Sequence, residues 1–212
     1  MASYDPQVMV HVPSLEVAHA SVFENPSFDQ VLSKFRALAS KYGQNNTYGL
    51  ALVHRHAEVS PGHRLMDFKQ TLQPFPLNDT ADNLHGAPIR AKSLALTAGG
   101  WKPYEYELGS PDLPQQDFFA DVQALLEQNG SEGLHVGLRR YSPSDPEELE
   151  ITESGGVSVK IPWNSVVSPS PGYKTTFWAF PSEDGGEMRN YKCSCRDTGS
   201  STNSNHNHID CN

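Results

Sequence analysis

The stretch Thr47–Glu58, TYGLALVHRHAE, decides how the rest of the chain is read. Its apolar part, Tyr48 to Val53, opens directly into His54-Arg55-His56 and then Glu58. The run is short, holds Leu50, Leu52 and Val53 without clean alternation, and so predicts a strand buried on both faces. In extended backbone, side chains at i, i+2 and i+4 share a face. A strand that continues through the histidines therefore aligns His54, His56 and Glu58, with Arg55 opposite. Two imidazoles and a carboxylate are a ligand set for zinc, copper or iron. The plainer alternative is a core strand ending in polar residues that meet solvent. No Gly-rich frame or downstream carboxylate completes a known His-x-His metal pattern.

Working outward, the upstream segment predicts a short strand, Val8–Val12, and a loop to residue 24. A helix then starts at Asn25-Pro26-Ser27. Phe28, Val31, Leu32, Phe35, Leu38, Ala39 and Tyr42 recur at helical spacing, and Gly43 closes that helix. Downstream, Ser60-Pro61-Gly62 is a turn into a returning strand, Arg64–Lys69, a hairpin able to bring His63 back beside His56. Residues 71–90 are rich in Pro, Asn and Asp and predict a long loop, with His85 a solvated member of it. Strands follow at Ala91–Ala98 and Tyr104–Leu108, joined by Gly99-Gly100-Trp101. A second helix announced by Asp112-Leu113-Pro114 carries Phe118, Phe119, Val122, Leu125 and Leu126 and ends at Asn129-Gly130. The remaining strands are Leu134–Tyr141, Val157–Ile161, Tyr173–Phe180 and Arg189–Cys195, and the acidic stretch 142–155 reads as a solvated edge.

The fold class that follows is α+β: a single domain over residues 1–196, with a mainly antiparallel sheet of roughly six to eight short strands and two amphipathic helices on one face. Residues 197–212 are a polar tail, ordered only by a bound metal.

Composition narrows the function. With 212 residues the chain is long enough for one domain with a real core. Hydrophobic residues make up 37%, and 16 glycines with 16 prolines predict many turns and short elements. Mean hydropathy is −0.54. A formal charge of −9 argues against a nucleic-acid-binding face, which needs clustered Lys and Arg. The N-terminus, MASYDPQVMVHVPS, has neither a basic n-region nor an apolar h-region, so no signal peptide is expected, and no stretch is apolar for long enough to span a bilayer. The sequons at Asn45, Asn78 and Asn129 then read as accidents of composition. The expected compartment is the cytoplasm, where cysteines stay reduced unless they bind metal.

All three cysteines fall in the final segment: Cys193-Ser194-Cys195, then His206-Asn207-His208 and Cys211. Thiolates and imidazoles together suit zinc, which takes four ligands tetrahedrally. A metal bound there supplies the ordering free energy that the tail's composition lacks. Three alternatives stand beside this reading: a disordered tail with solvated histidines, a Cys195–Cys211 disulfide, or Cys193 as an ordinary buried strand residue. If the last strand lies beside the central one, His54 or His56 completes a site with these residues.

Several stretches, YGLALVHRHAEV, WKPYEYEL before a helix, FFADVQALLEQNG leading to LHVGLRRY, and FWAF, resemble small uncharacterised proteins of filamentous fungi. Those proteins share a His-Arg-His strand end and a Cys/His-rich C-terminus, and the resemblance covers most of the chain from Tyr48 onward. It implies a fungal setting associated with secondary metabolism, and it carries over no activity. Where such proteins usually place a bulky residue after His-x-His, this chain has Ala57.

Two functions are expected. The first is a small transition-metal-binding cytoplasmic protein that acts as a metal-dependent enzyme on a small molecule. His54, His56, Glu58 and His63 would be its catalytic residues, with zinc the leading cofactor and copper or iron the others. In its metal-free variant a histidine is a general base oriented by Glu58, and Arg55, Arg139 or Arg140 holds an anionic substrate. The second is a non-enzymatic binding domain with a structural zinc on Cys193, Cys195, His206, His208 and Cys211. Neither a nucleic acid nor a membrane is an expected partner. No nucleophile elbow, phosphate-binding glycine loop or dinucleotide fingerprint occurs, which sets aside α/β-hydrolase, kinase and dehydrogenase readings.

Overall fold

A computed structural model describes residues 6–76, 83–84, 86–111, 115–129, 134–145, 148–152, 157–162, 174–181 and 189–194. Three helices open the chain: α1 (Pro6–His11), α2 (Leu15–Phe23) and α3 (Phe28–Lys41). The Ser14 hydroxyl accepts the Val17 N–H at 3.4 Å and caps α2. Along α3 the residues Phe28, Val31, Phe35 and Ala39 form the buried stripe that its spacing predicts.

The strands are β1 (Tyr48–Leu52), β2 (His63–Asp67), β3 (Thr71–Pro76), β4 (Asn83–Leu84), β5 (Ala87–Thr97) and β6 (Gly100–Leu108). After α4 (Gln116–Gln128) come β7 (Val136–Arg140), β8 (Glu148–Thr152), β9 (Ser158–Pro162), β10 (Lys174–Ala179) and β11 (Arg189–Ser194). They make one mixed sheet in the order β4-β5-β6-β2-β3-β9-β8-β11-β10-β1-β7, and β5 also pairs with β7. The row of strands therefore curls round until β7, at one end, pairs with β5, the strand next to the other end. Two pairings, β2–β6 and β8–β11, are parallel.

Curling gives the sheet one enclosed and one open face. On β1, Tyr48, Leu50 and Leu52 pack with α2, α3, α4, Leu138 and Trp178, while Ala51 joins Tyr141, Phe177 and Ala179. Three helices are too bulky for the enclosed side, since each is about 10–12 Å across with its side chains. They cover the outside, and the residues of opposite parity point inward. That inner face is crowded: a Cβ added at Gly49 would lie 2.6 Å from the Phe177 ring.

The expected α+β class with six to eight strands and two helices is thus corrected. Among the described residues there are four helices and one curled mixed sheet of eleven strands. The expected strand at Val8–Val12 is α1 and the turn after it, because Val8, Met9 and Val12 bury one side of a helical turn. The expected loop to residue 24 contains α2, whose buried Leu15, Ala18 and Val22 follow the helical period. Residues 71–90 hold β3, β4 and the start of β5. Pro74 and Pro76 suggested a loop, but they fall beyond the Thr71–Leu72 stretch that pairs with β9, on an edge that tolerates proline. The acidic stretch forms β8, in which Leu149 and Glu150 are buried. No described helix is long and apolar enough to cross a membrane.

Candidate functional site

β1 does not continue through the histidines. Past Leu52 the backbone leaves the ladder: the Val53 N–H bonds the His135 carbonyl at 2.9 Å and the Arg55 N–H bonds the Pro13 carbonyl at 2.8 Å. Strand alternation therefore does not reach Glu58, which is exposed. His54 and His56 nonetheless both turn inward, each 3% exposed, with ring centroids 4.2 Å apart. His63 lies half-buried at the start of β2, its Nδ1 3.3 Å from the Pro61 carbonyl oxygen.

The carboxylates beside His56 come from elsewhere. Its Nε2 is 3.2 Å from Glu105 Oε1 on β6, and its Nδ1 is 2.7 Å from Glu150 Oε1 on β8. Strand register assembles the surroundings. Ser93 on β5 stands opposite both Glu105 and Arg139 and donates its hydroxyl to Glu105 Oε2. Glu150 stands opposite Lys160 on β9. The Lys160 ammonium is paired with Asp67 on β2, and Arg139 Nη2 lies 3.6 Å from the same carboxylate. Asp67, Glu105 and Glu150 thus share the interior with His56, Arg139 and Lys160, and the partly buried Glu148 and Lys92 act on the same groups.

Each charge is held by its neighbours. Desolvation pushes the His56 pKa down, but the charges of Glu150 and Glu105 outweigh it and raise the value well above that of an ordinary histidine. For Glu105 desolvation pushes upward, and the contact with His56 and the charge of Arg139 reverse it, so its carboxyl is held far below the usual range. Asp67 is likewise lowered, by Lys160 and Arg139 against desolvation. Tyr104, buried beside Glu105, has its phenol raised well above normal by desolvation and by that charge.

The two ring nitrogens of His56 differ in this from those of His54. Each His56 nitrogen faces a carboxylate, which only accepts, so both carry protons and the ring is an imidazolium. Glu105 and Glu150 flank opposite nitrogens and do not converge on one point. Among the described residues no three of His, Cys, Asp and Glu form a group able to hold a metal ion. In His54 the Nδ1 is 3.1 Å from the Leu52 carbonyl oxygen. That oxygen fixes the proton on Nδ1 and leaves the lone pair on Nε2, which is buried without a hydrogen-bond partner.

Of the other expected ligands, Cys195, His206, His208 and Cys211 lie outside the described residues. Cys193 belongs to β11 by its backbone, in register with Glu150 and Lys174. β10 separates β11 from β1, so the last strand is not beside the central one. Sequence reasoning missed Glu105, Glu150, Asp67, Lys160 and Ser93. The signal was present: charges set among the apolar residues of short strands, as in RLMDF, PYEYEL and VSVKIP.

Set against protein-family models, curated proteins and solved structures, the chain matches none of them. Its chemistry is read from its own residues.

Proposed function

We propose that the protein is a metal-free acid–base enzyme that acts on a small molecule inside the curled sheet, with His54 Nε2 as the base. The observation that carries this reading is the buried, unpartnered Nε2 beside a fixed imidazolium. An orphaned buried acceptor costs about 1–3 kcal/mol, and a charge network this deep adds desolvation that pairing only partly offsets. The neighbouring His56 and Glu105 are strongly shifted, and such groups gather at catalytic centres.

The chemistry follows from position. His54 removes a proton from a carbon or oxygen acid of the substrate and becomes cationic. The negative charge left on the substrate develops near His56, whose own positive charge Glu105 and Glu150 hold in place. His54 then returns the proton to a different atom or to the product. Glu58 and His63, the other expected catalytic residues, have no part in this scheme.

A generic proton-abstraction probe tests it. 5-Nitrobenzisoxazole loses its C–H proton to a base, its N–O bond breaks, and a coloured phenolate appears. We expect turnover faster than an equal concentration of free imidazole by on the order of 10²–10⁴, the range for a positioned base. His54→Ala should return the rate to background, and His63→Ala should leave it intact. Equal rates for wild type and a folded His54→Ala variant would overturn the reading.

A further inference from the structure

Both histidines are 3% exposed, so a substrate reaches His54 only if something covering it moves. The cover is α1. Val8 and Met9 of α1, with Val12 just after it, pack in one cluster with Val53, Ala57, Leu65, Leu72, Ala95 and Tyr104. Val53 and Ala57 bracket the two histidines in the chain, so α1 packs against both ends of the His-Arg-His segment. The helix has only six residues, far short of what stands alone in water, and its two valines are poor helix formers. Its other side makes little contact: Val10 is 68% exposed. Beyond it, the Pro13 carbonyl is tied to the Arg55 N–H, which anchors the hinge at the site while α1 itself is held by three apolar side chains.

We propose that α1 is a lid whose apolar side chains occupy the ligand's place, and that the ligand is a neutral, largely apolar molecule carrying one acidic hydroxyl. The proposal rests on the same unpartnered Nε2 as the acid–base reading. The chemistry of the uncovered surface sets the class. Val53, Ala57, Leu65, Ala95 and Tyr104 are left bare when α1 leaves, and they favour an aromatic or alicyclic body. His56, Arg139 and Lys160 each face a carboxylate, so an anion finds no surplus cation among them. His54 Nε2 is a buried acceptor without a hydrogen-bond partner, which calls for a donor.

The test uses the full chain with 2-naphthol and its methyl ether, 2-methoxynaphthalene, followed by fluorescence titration and by hydrogen exchange. Naphthol should bind about tenfold more tightly than the ether, the worth of a hydrogen bond to an otherwise unsatisfied buried group. His54→Ala should erase that preference. Val8→Ala with Met9→Ala should speed association and tighten both ligands several-fold. Saturating naphthol should accelerate exchange of the α1 amides while slowing those of β1 and β7. Equal affinity for naphthol and ether would overturn the ligand class, and α1 amides as protected as β1, or slowed by naphthol, would overturn the lid. Failure of proton abstraction with naphthol still displacing α1 would sink the enzyme reading alone. Turnover with α1 unmoved would sink the lid alone.

Discussion

His56 sets the pH behaviour of the molecule. Its folded pKa is raised, so its stabilisation is complete below the unfolded value of about 6.5 and is lost as pH rises through the folded value. Glu105 and Asp67 are lowered, so their stabilisation is complete above about 4.3 and 3.9 and is lost as pH falls through their folded values. The contribution of these three groups should therefore plateau between about pH 4.3 and 6.5 and decline on either side, which calorimetric melting of wild type against variants of the three will show across pH. Glu105→Gln leaves His56 with one carboxylate, removes half of a buried charge contact, and should cost about 3–5 kcal/mol. In that variant the alkaline decline should end at lower pH, and a melting curve indistinguishable from wild type would mean that the two residues are not a charge pair. At this scale the sequence pointed to His54 and His56 but supplied the wrong acid. Alternation was carried through to Glu58, whereas the backbone bonds of Val53 and Arg55 had already left the ladder.

Between elements, the tightest contact is where β5 meets β7. A Cβ at Gly137 would overlap the Leu94 carbonyl oxygen and lie 2.8 Å from Val53 Cγ2. A backbone oxygen in a ladder has nowhere to go, so Gly137→Ala should force β5 and β7 apart. The expected loss is about 1–3 kcal/mol in urea denaturation, the range for overpacking. Gly43 is the useful contrast: its φ is +63 with open space around it, so Gly43→Ala should cost about 1–2 kcal/mol through backbone strain alone, with native strand pairing kept. A Gly137→Ala protein as stable as wild type would show that the sheet does not close at that point. The helices α3 and α4 were legible because a 3.6-residue period needs only local sequence. The role of Gly137 was not, since LHVGLRRY reads as any strand and its crowding comes from residues far away in the chain. α1 was misread because six residues with two valines satisfy a strand pattern as well as a helical one.

Over the whole molecule, a net charge of −9 conceals an interior in which buried charges are balanced by close partners. That balance belongs to the closed sheet: Asp67, Glu105, Arg139, Glu150 and Lys160 come from β2, β6, β7, β8 and β9, and no window of sequence brings them together. If balance is what matters, removing one member must hurt and removing an opposite pair must not. Asp67→Leu leaves Arg139 and Lys160 in excess by one charge, and Lys160→Met leaves one surplus anion. Each should cost about 3–5 kcal/mol, the penalty of a buried charge whose partner is gone. The double variant keeps Glu105 and Glu150 against His56 and Arg139 and replaces a buried ion pair by apolar side chains. Such exchanges are often neutral or stabilising, so the double variant should denature in urea within about 1 kcal/mol of wild type. It should also keep its proton-abstraction rate, because neither residue touches His54 or His56. A double variant as unstable as the sum of the singles would mean that Asp67 and Lys160 hold β2 and β9 together through geometry that apolar side chains cannot replace, and charge balance would then not be the rule that organises this interior.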